Sequence, residues 1–152
     1  MSKRIRPRGG IRPQYELRAR KRGPGNLLLE VWQLQSVATP EVKAPHYVGG
    51  LFGRNLALVE HRVLKQIRAA GLDIGTLRSG DVAHRDLTED LALRLGLAFR
   101  ALAPMRNRSY MRAVADGIDS MAKEEAAYWL GMTMHRRRPR RVLAALRCLL
   151  VE

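Results

Sequence analysis

The chain has 152 residues, enough for one domain with a real core, and 46% of them are hydrophobic, as in an ordinary globular protein. No stretch approaches the about 18–20 consecutive apolar residues that span a bilayer, and no apolar segment follows the basic N-terminus as in a secretory signal; a single cysteine, Cys148, excludes an internal disulfide and suits the reducing cytoplasm. The net charge of +14 sits at the ends: residues 1–22 hold nine Lys/Arg against one acid, residues 136–152 six against one, and residues 23–135 thirteen against twelve, a distribution that points to a polyanionic partner.

Residues 1–13, MSKRIRPRGGIRP, carry Pro7, Gly9, Gly10 and Pro13 among few apolar residues and read as a flexible basic arm. Residues 14–152 read as a single globular domain. It starts with Tyr15, Leu17 and Ala19 alternating with charged residues, the pattern of a half-buried strand. Arg22–Asn26, RGPGN, supplies turn chemistry. In the following Leu27–Gln35, Leu27, Leu29 and Val31 share one face, and Leu28, Glu30, Trp32 and Leu34 the other. The two segments predict a β-hairpin, which needs helices or a further strand to be stable.

Residues 36–51 read as a Pro/Gly-containing connection. From Gly53 to Ala70 the spacing of Leu56, Val59, Val63, Leu64 and Ile67 predicts a helix, with Gly71 as its stop. A polar loop then leads to Asp86, the expected N-cap of a helix reaching about Ala103. Leu87, Leu91, Leu95, Ala98 and Leu102 fit helical spacing; Leu91, Leu93, Leu95, Leu97 and Phe99 also alternate, but length and the cap favour helix. Short helices follow at about 107–117 and 121–135, the second with Ser120 as its expected cap, and Pro139 opens a last helix to Leu150. The fold class expected is α+β, an N-terminal hairpin with room for a third strand, packed on four to five helices.

The stretch Met134–Leu150, MHRRRPRRVLAALRCLL, places five arginines within six residues just before an apolar run. Proline suits the first helical turn, where its missing N–H goes unused. Beyond Pro139, Val142, Leu143, Ala145, Leu146, Leu149 and Leu150 form an apolar stripe, with Arg140 and Arg147 opposite. The run therefore reads as a joint between two helices rather than a loose tail. Arg136, Arg137 and Arg138 follow a helix C-terminus, which favours cations, while Arg140 and Arg141 sit in a first turn that disfavours them by about 0.3–1 kcal/mol each. An anion bound there would relieve that repulsion. The plainer alternative is a solvated basic bend with acidic neighbours from elsewhere in the fold; a second basic cluster at the N-terminus favours polyanion contact.

Other constellations are weaker. Asp86–Leu102 can be threaded as a helix-turn-helix with Gly96 at the turn, but Leu97, Ala98, Phe99, Ala101 and Leu102 would make an apolar recognition helix, so one buried helix is the better reading. His46, His61, His84 and His135 are scattered, and one cysteine builds no zinc knuckle, so no metal and no cofactor is expected. Glu60-His61 and His84-Arg85-Asp86 are neighbours in sequence only, and Glu124-Glu125 fit a helix first turn. Gly49–Gly53 lacks the context of a phosphate-binding loop. Tyr128-Trp129 could offer bases a stacking surface, but Trp129 with Met121, Ala126 and Met132 reads as core, and aromatics are only 5% of the chain, which argues against a stacking-based reader. Cys148 reads as an inert buried thiol.

Leu97–Arg108, LAFRALAPMRNR, and Gly117–Leu150, GIDSMAKEEAAYWLGMTMHRRRPRRVLAALRCLL, resemble an uncharacterised family of small basic prokaryotic proteins, loosely associated with multi-gene operons for phage defence. The resemblance covers about residues 15–150 and is most specific from Glu124 to Leu150. It implies an accessory protein beside larger helicase- or methyltransferase-type partners, and it carries no catalytic residue over.

The expected function is a non-catalytic, cytoplasmic, nucleic-acid-binding subunit of a protein complex, contacting phosphates without reading sequence and with no membrane partner. Lys3, Arg4, Arg6, Arg8 and Arg12 would form an electrostatic arm; Arg136, Arg137, Arg138, Arg140 and Arg141 would form a fixed patch. The alternatives are a module docking its basic ends on a larger acidic subunit, a helix-turn-helix regulator, and a structural RNA binder, which the twelve acids of the body disfavour. An enzyme is least expected, since no acid/base or metal constellation emerges.

Overall fold

A computed structural model describes residues 14–21, 27–34, 46–69, 71, 80–136 and 138–151. Four strands, β1 (Gln14–Lys21), β2 (Leu27–Leu34), β3 (His46–Phe52) and β4 (Gly80–Leu87), form one antiparallel sheet of order β3-β2-β1-β4. Five helices accompany it: α1 (Gly53–Ala69), α2 (Glu89–Leu102), α3 (Arg108–Ser120), α4 (Lys123–His135) and α5 (Pro139–Val151). The fold is α+β, as the residue pattern predicts.

The hairpin follows its alternation. Leu17 pairs with Val31 and Ala19 with Leu29, and with Tyr15 these side chains make the buried face of the sheet. Two further strands replace what reads as connection and loop. β3, HYVGGLF, hides behind Gly49-Gly50, which lower strand propensity, although Gly49 is needed where it stands. A Cβ on Gly49 would lie 2.8 Å from the Gly96 carbonyl oxygen of α2, and one on Gly50 would lie 2.5 Å from the Tyr47 hydroxyl. β4, GDVAHRDL, is too polar to read as a core strand; charged residues of this kind suit the sheet edge it occupies. Asp86 is therefore a strand residue, not an N-cap. Thr88 caps α2 instead, its Oγ1 accepting the Leu91 N–H at 3.3 Å.

α2 lies at the centre of the molecule, against α4, β3, α3 and β1. It is buried on all sides, from Ala92 and Leu93 through Leu95–Phe99 to Ala101 and Leu102, which is why its sequence fits two periodicities at once. It runs unbroken through Gly96, so no helix-turn-helix divides residues 86–102. Asn55 of α1 donates through Nδ2 to the carbonyls of Leu102, Ala103 and Met105 at 3.1, 2.8 and 3.2 Å, satisfying the chain where α2 ends. Gly71, at φ 97°, stops α1 with its N–H on the Arg68 carbonyl at 2.9 Å.

Asn107 caps α3, accepting the Tyr110 N–H at 2.8 Å. Ser120 is not the cap of α4: it is the last residue of α3, its hydroxyl donates back to the Asp116 carbonyl, and α4 starts after Ala122 with no side-chain cap. Glu124 and Glu125 occupy the first turn of α4. Of the expected apolar stripe on α5 only Leu143 and Leu146 are buried; Leu149 is 51% exposed, and Cys148 is exposed rather than a buried thiol. Among the described residues no helix is long and apolar enough to cross a membrane.

Candidate nucleic-acid interface

The joint between α4 and α5 is set by Pro139. Pro139 has no N–H to give a continuous helix and its ring would clash with the carbonyl four residues earlier, so α4 does not run on through it. α4 closes at His135, and Arg136 is extended, at φ −84° and ψ 143°, with its N–H on the Met132 carbonyl at 3.1 Å. α5 opens at Pro139, and the Arg141 N–H meets the Arg138 carbonyl at 3.1 Å. Leu143 and Leu146 anchor the far side in the core.

This geometry leaves an open groove of about 510 Å³ lined by Met132, His135, Arg136, Arg138, Arg141 and Val142. Arg136, Arg138, Arg140 and Arg141 are all exposed; Arg140 is not part of the groove wall. The ion pairs among the described residues lie elsewhere: Arg18 with Glu16, Arg20 with Glu30, Arg62 with Asp116, Arg94 with Asp90 and Lys123 with Glu89. No carboxylate among the described residues reaches the four arginines of the joint, so the acidic neighbours required by a merely solvated bend are missing from that set. Arg137 and the arm residues Lys3, Arg4, Arg6, Arg8 and Arg12 lie outside the described residues.

A second cavity, of about 300 Å³, adjoins the groove, and His135 lines both. Its apolar lining comes from Val48, Leu93, Leu130 and Met134, and its polar lining from the cross-strand partners Gln33 and Tyr15. Ala127 and Gly131 of α4 complete it. Burial, with Glu89 adding to it, pushes the Tyr15 hydroxyl above the usual tyrosine range. Nothing in the sequence marks this cavity, because its lining comes from β1, β2, β3, α2 and α4.

The opposite face of the sheet gathers aromatics that the low aromatic content hides. Trp32 and Tyr47 are cross-strand partners in edge-to-face contact at 5.3 Å, Arg18 stacks on Trp32 at 4.5 Å, and Phe52 is exposed. Two buried carboxylates, Glu16 and Glu30, pair with Arg18 and Arg20 there, so the face brings little free positive charge to a phosphate. Glu30 Oε1 lies 3.3 Å from Arg20 Nε without hydrogen-bond geometry, and Trp32 Nε1 is buried without a partner. Burial and Glu30 raise the Tyr47 pKa, with Arg100 opposing. Burial lowers that of Arg100, which donates to the Val48 carbonyl.

The Tyr128–Trp129 pair divides: Trp129 packs on the core, and Tyr128 is 59% exposed with its ring edge-to-face to Trp129 at 5.5 Å. The side chains of His46, His61 and His84 lie outside the described set. Among the described residues no three His, Cys, Asp or Glu side chains come together as metal ligands would. A family model described as a domain of unknown function (DUF7680) matches residues 15–152. No curated protein and no solved structure matches the chain.

Proposed function

The chain belongs to the family described as a domain of unknown function (DUF7680), and we propose that it is a non-catalytic, sequence-independent nucleic-acid-binding subunit of a larger prokaryotic defence complex. One observation carries the binding role: among the described residues, four exposed arginines share one helix joint with no carboxylate beside them. Repulsion among guanidinium groups, and between Arg140, Arg141 and the positive end of α5, is relieved when a phosphate enters. The basic residues Lys3, Arg4, Arg6, Arg8 and Arg12 add a second electrostatic contact of the same sign. The defence setting rests on the resemblance of Leu97–Arg108 and Gly117–Leu150 to the operon-associated proteins, and implies a larger protein partner in the cytoplasm.

Fluorescence anisotropy with labelled nucleic acid across a salt series tests this reading. Changing Arg136, Arg138 and Arg141 together to Ala removes up to three phosphate contacts. The slope of log K against log salt should shrink by about 2–3, at about 0.7 per contact for single strands and 0.9 for duplex. An unchanged slope would refute the phosphate site. A stable stoichiometric complex with an acidic protein, together with binding to free nucleic acid that ignores these substitutions, would instead favour the docking-module reading.

A further inference from the structure

Some of the described glycines are held by close approaches. A Cβ at Gly49 or Gly96 would approach a buried neighbour to 2.8 or 2.5 Å, so packing requires both. Gly131 differs: it stands inside α4, and a Cβ there would meet nothing within 4 Å. A glycine in a helix interior costs about 1 kcal/mol against alanine. Here no close approach offsets that cost. What Gly131 does is leave the 300 Å³ cavity open, together with Ala127 one turn earlier on the same helix face.

That cavity is mostly apolar, carries the polar side chains of Gln33 and Tyr15 in its lining, and opens beside the arginine groove across the shared His135. It is at the small end of ligand sites, sized for a ring system rather than a whole nucleotide. The adjoining groove supplies uncompensated positive charge from Arg136, Arg138 and Arg141. A planar, largely apolar ring with hydrogen-bonding edges, attached to a phosphate, matches the pair of cavities. We infer that the Gly131 cavity receives one unstacked nucleobase of a single-stranded nucleic acid whose adjoining phosphate lies on Arg136, Arg138 and Arg141. The inference rests on the phosphate site proposed above and deepens it. The Gln33 amide and the Tyr15 hydroxyl face the base edge, and Leu93, Leu130 and Met134 its ring. A paired base reaches the cavity only after unstacking and unpairing, so unpaired strands are favoured over duplex.

The experiment measures binding of the full chain to four labelled probes with equal numbers of phosphates: single-stranded DNA, single-stranded RNA, an abasic single strand and duplex DNA. Single strands carrying bases should bind more tightly than the abasic strand by roughly 10- to 150-fold, the range for burying one ring-sized apolar group. Gly131→Leu, which fills the cavity, should bring them to the abasic level and leave abasic binding unchanged, while Arg138→Ala with Arg141→Ala should weaken all four probes. The two sugars tell DNA from RNA. Equal binding of normal and abasic strands by the wild type, or full base dependence retained in Gly131→Leu, overturns the base site but not the phosphate site. Abasic binding unchanged by the arginine substitutions overturns both. Thermal melting of Gly131→Leu at or above the wild-type temperature shows that the fold is kept; if it falls, Ala127→Leu blocks the same cavity from a different position and is judged by the same criteria.

Discussion

Gly96→Ala tests whether the close approach of β3 and α2 holds the centre of the molecule. On helix propensity alone the change should stabilise the protein by about 1 kcal/mol. The new methyl, however, would sit 2.5 Å from Val48 Cγ1, about 1.0–1.5 Å inside the ~3.5–4.0 Å of comfortable carbon contact. Val48 is 1% exposed, and beside it a Gly49 Cβ would already be 2.8 Å from the Gly96 carbonyl oxygen. Neither element has room to retreat. Overpacking of this kind costs about 1–3 kcal/mol, leaving a net loss of up to about 2 kcal/mol. Val48→Ala alone removes two buried methyl groups, about 1.6 kcal/mol at 0.8 for each. In the double variant the alanine at 96 occupies space vacated at 48. The two losses should therefore fall short of additivity by about 1 kcal/mol or more. Urea denaturation of the four proteins gives the cycle, and melting temperatures should move by about 2–4 °C per kcal/mol. A Gly96→Ala protein more stable than wild type by the full increment of about 1 kcal/mol that helix propensity alone gives would refute the steric account.

Two further outcomes follow from individual side chains. Asn55→Ala removes the donor to the carbonyls of Leu102, Ala103 and Met105 and should cost about 1–3 kcal/mol in urea. Asn55→Asp turns an acceptor toward the same oxygens and should cost more than Ala; an Asp variant as stable as wild type would sink the hydrogen-bond reading. The pKa values of Tyr15 and Tyr47 lie above their ordinary 10.0 in the folded chain. The unfolded chain therefore releases these protons first, and stability, full below pH 10, falls as pH rises through the folded values. Tyr15→Phe should make that alkaline fall shallower, read from urea midpoints between neutral pH and pH 11; an identical fall in the two proteins would contradict the burial of Tyr15.

The parts legible in the sequence are those where one periodicity governs one face. Leu17, Ala19, Leu29 and Val31 alternate because one side of the hairpin is core, and α1 shows its stripe for the same reason. β3 was hidden because a strand lying against a helix backbone needs glycine where strand propensity wants a branched side chain. β4 was hidden because an edge strand can be polar throughout, and the true cap, Thr88, lies two residues beyond the equally suitable Asp86. At the candidate site, Pro139 and the arginines on either side announce a joint. Whether acids elsewhere neutralise it depends on tertiary contacts, and the cavity at Gly131 depends on five elements meeting, so neither can be read along the chain.

The strand order also sets an order of assembly. β1 is an inner strand whose neighbours are made at very different times: β2 begins after five intervening residues, whereas β4 arrives about 60 residues later. At ribosomal speeds of about 5–20 residues per second, that interval is roughly 3–12 s. Throughout it the backbone donors and acceptors on one side of β1 have no strand to meet, and α2, the helix that closes the apolar face, emerges later still. A nascent chain in that state is a template for foreign strands, and longer ribosomal dwell between residues 21 and 80 favours aggregation. Chaperone dependence of this protein in the cell should therefore follow translation speed over that interval more closely than it follows the equilibrium stability of the finished fold.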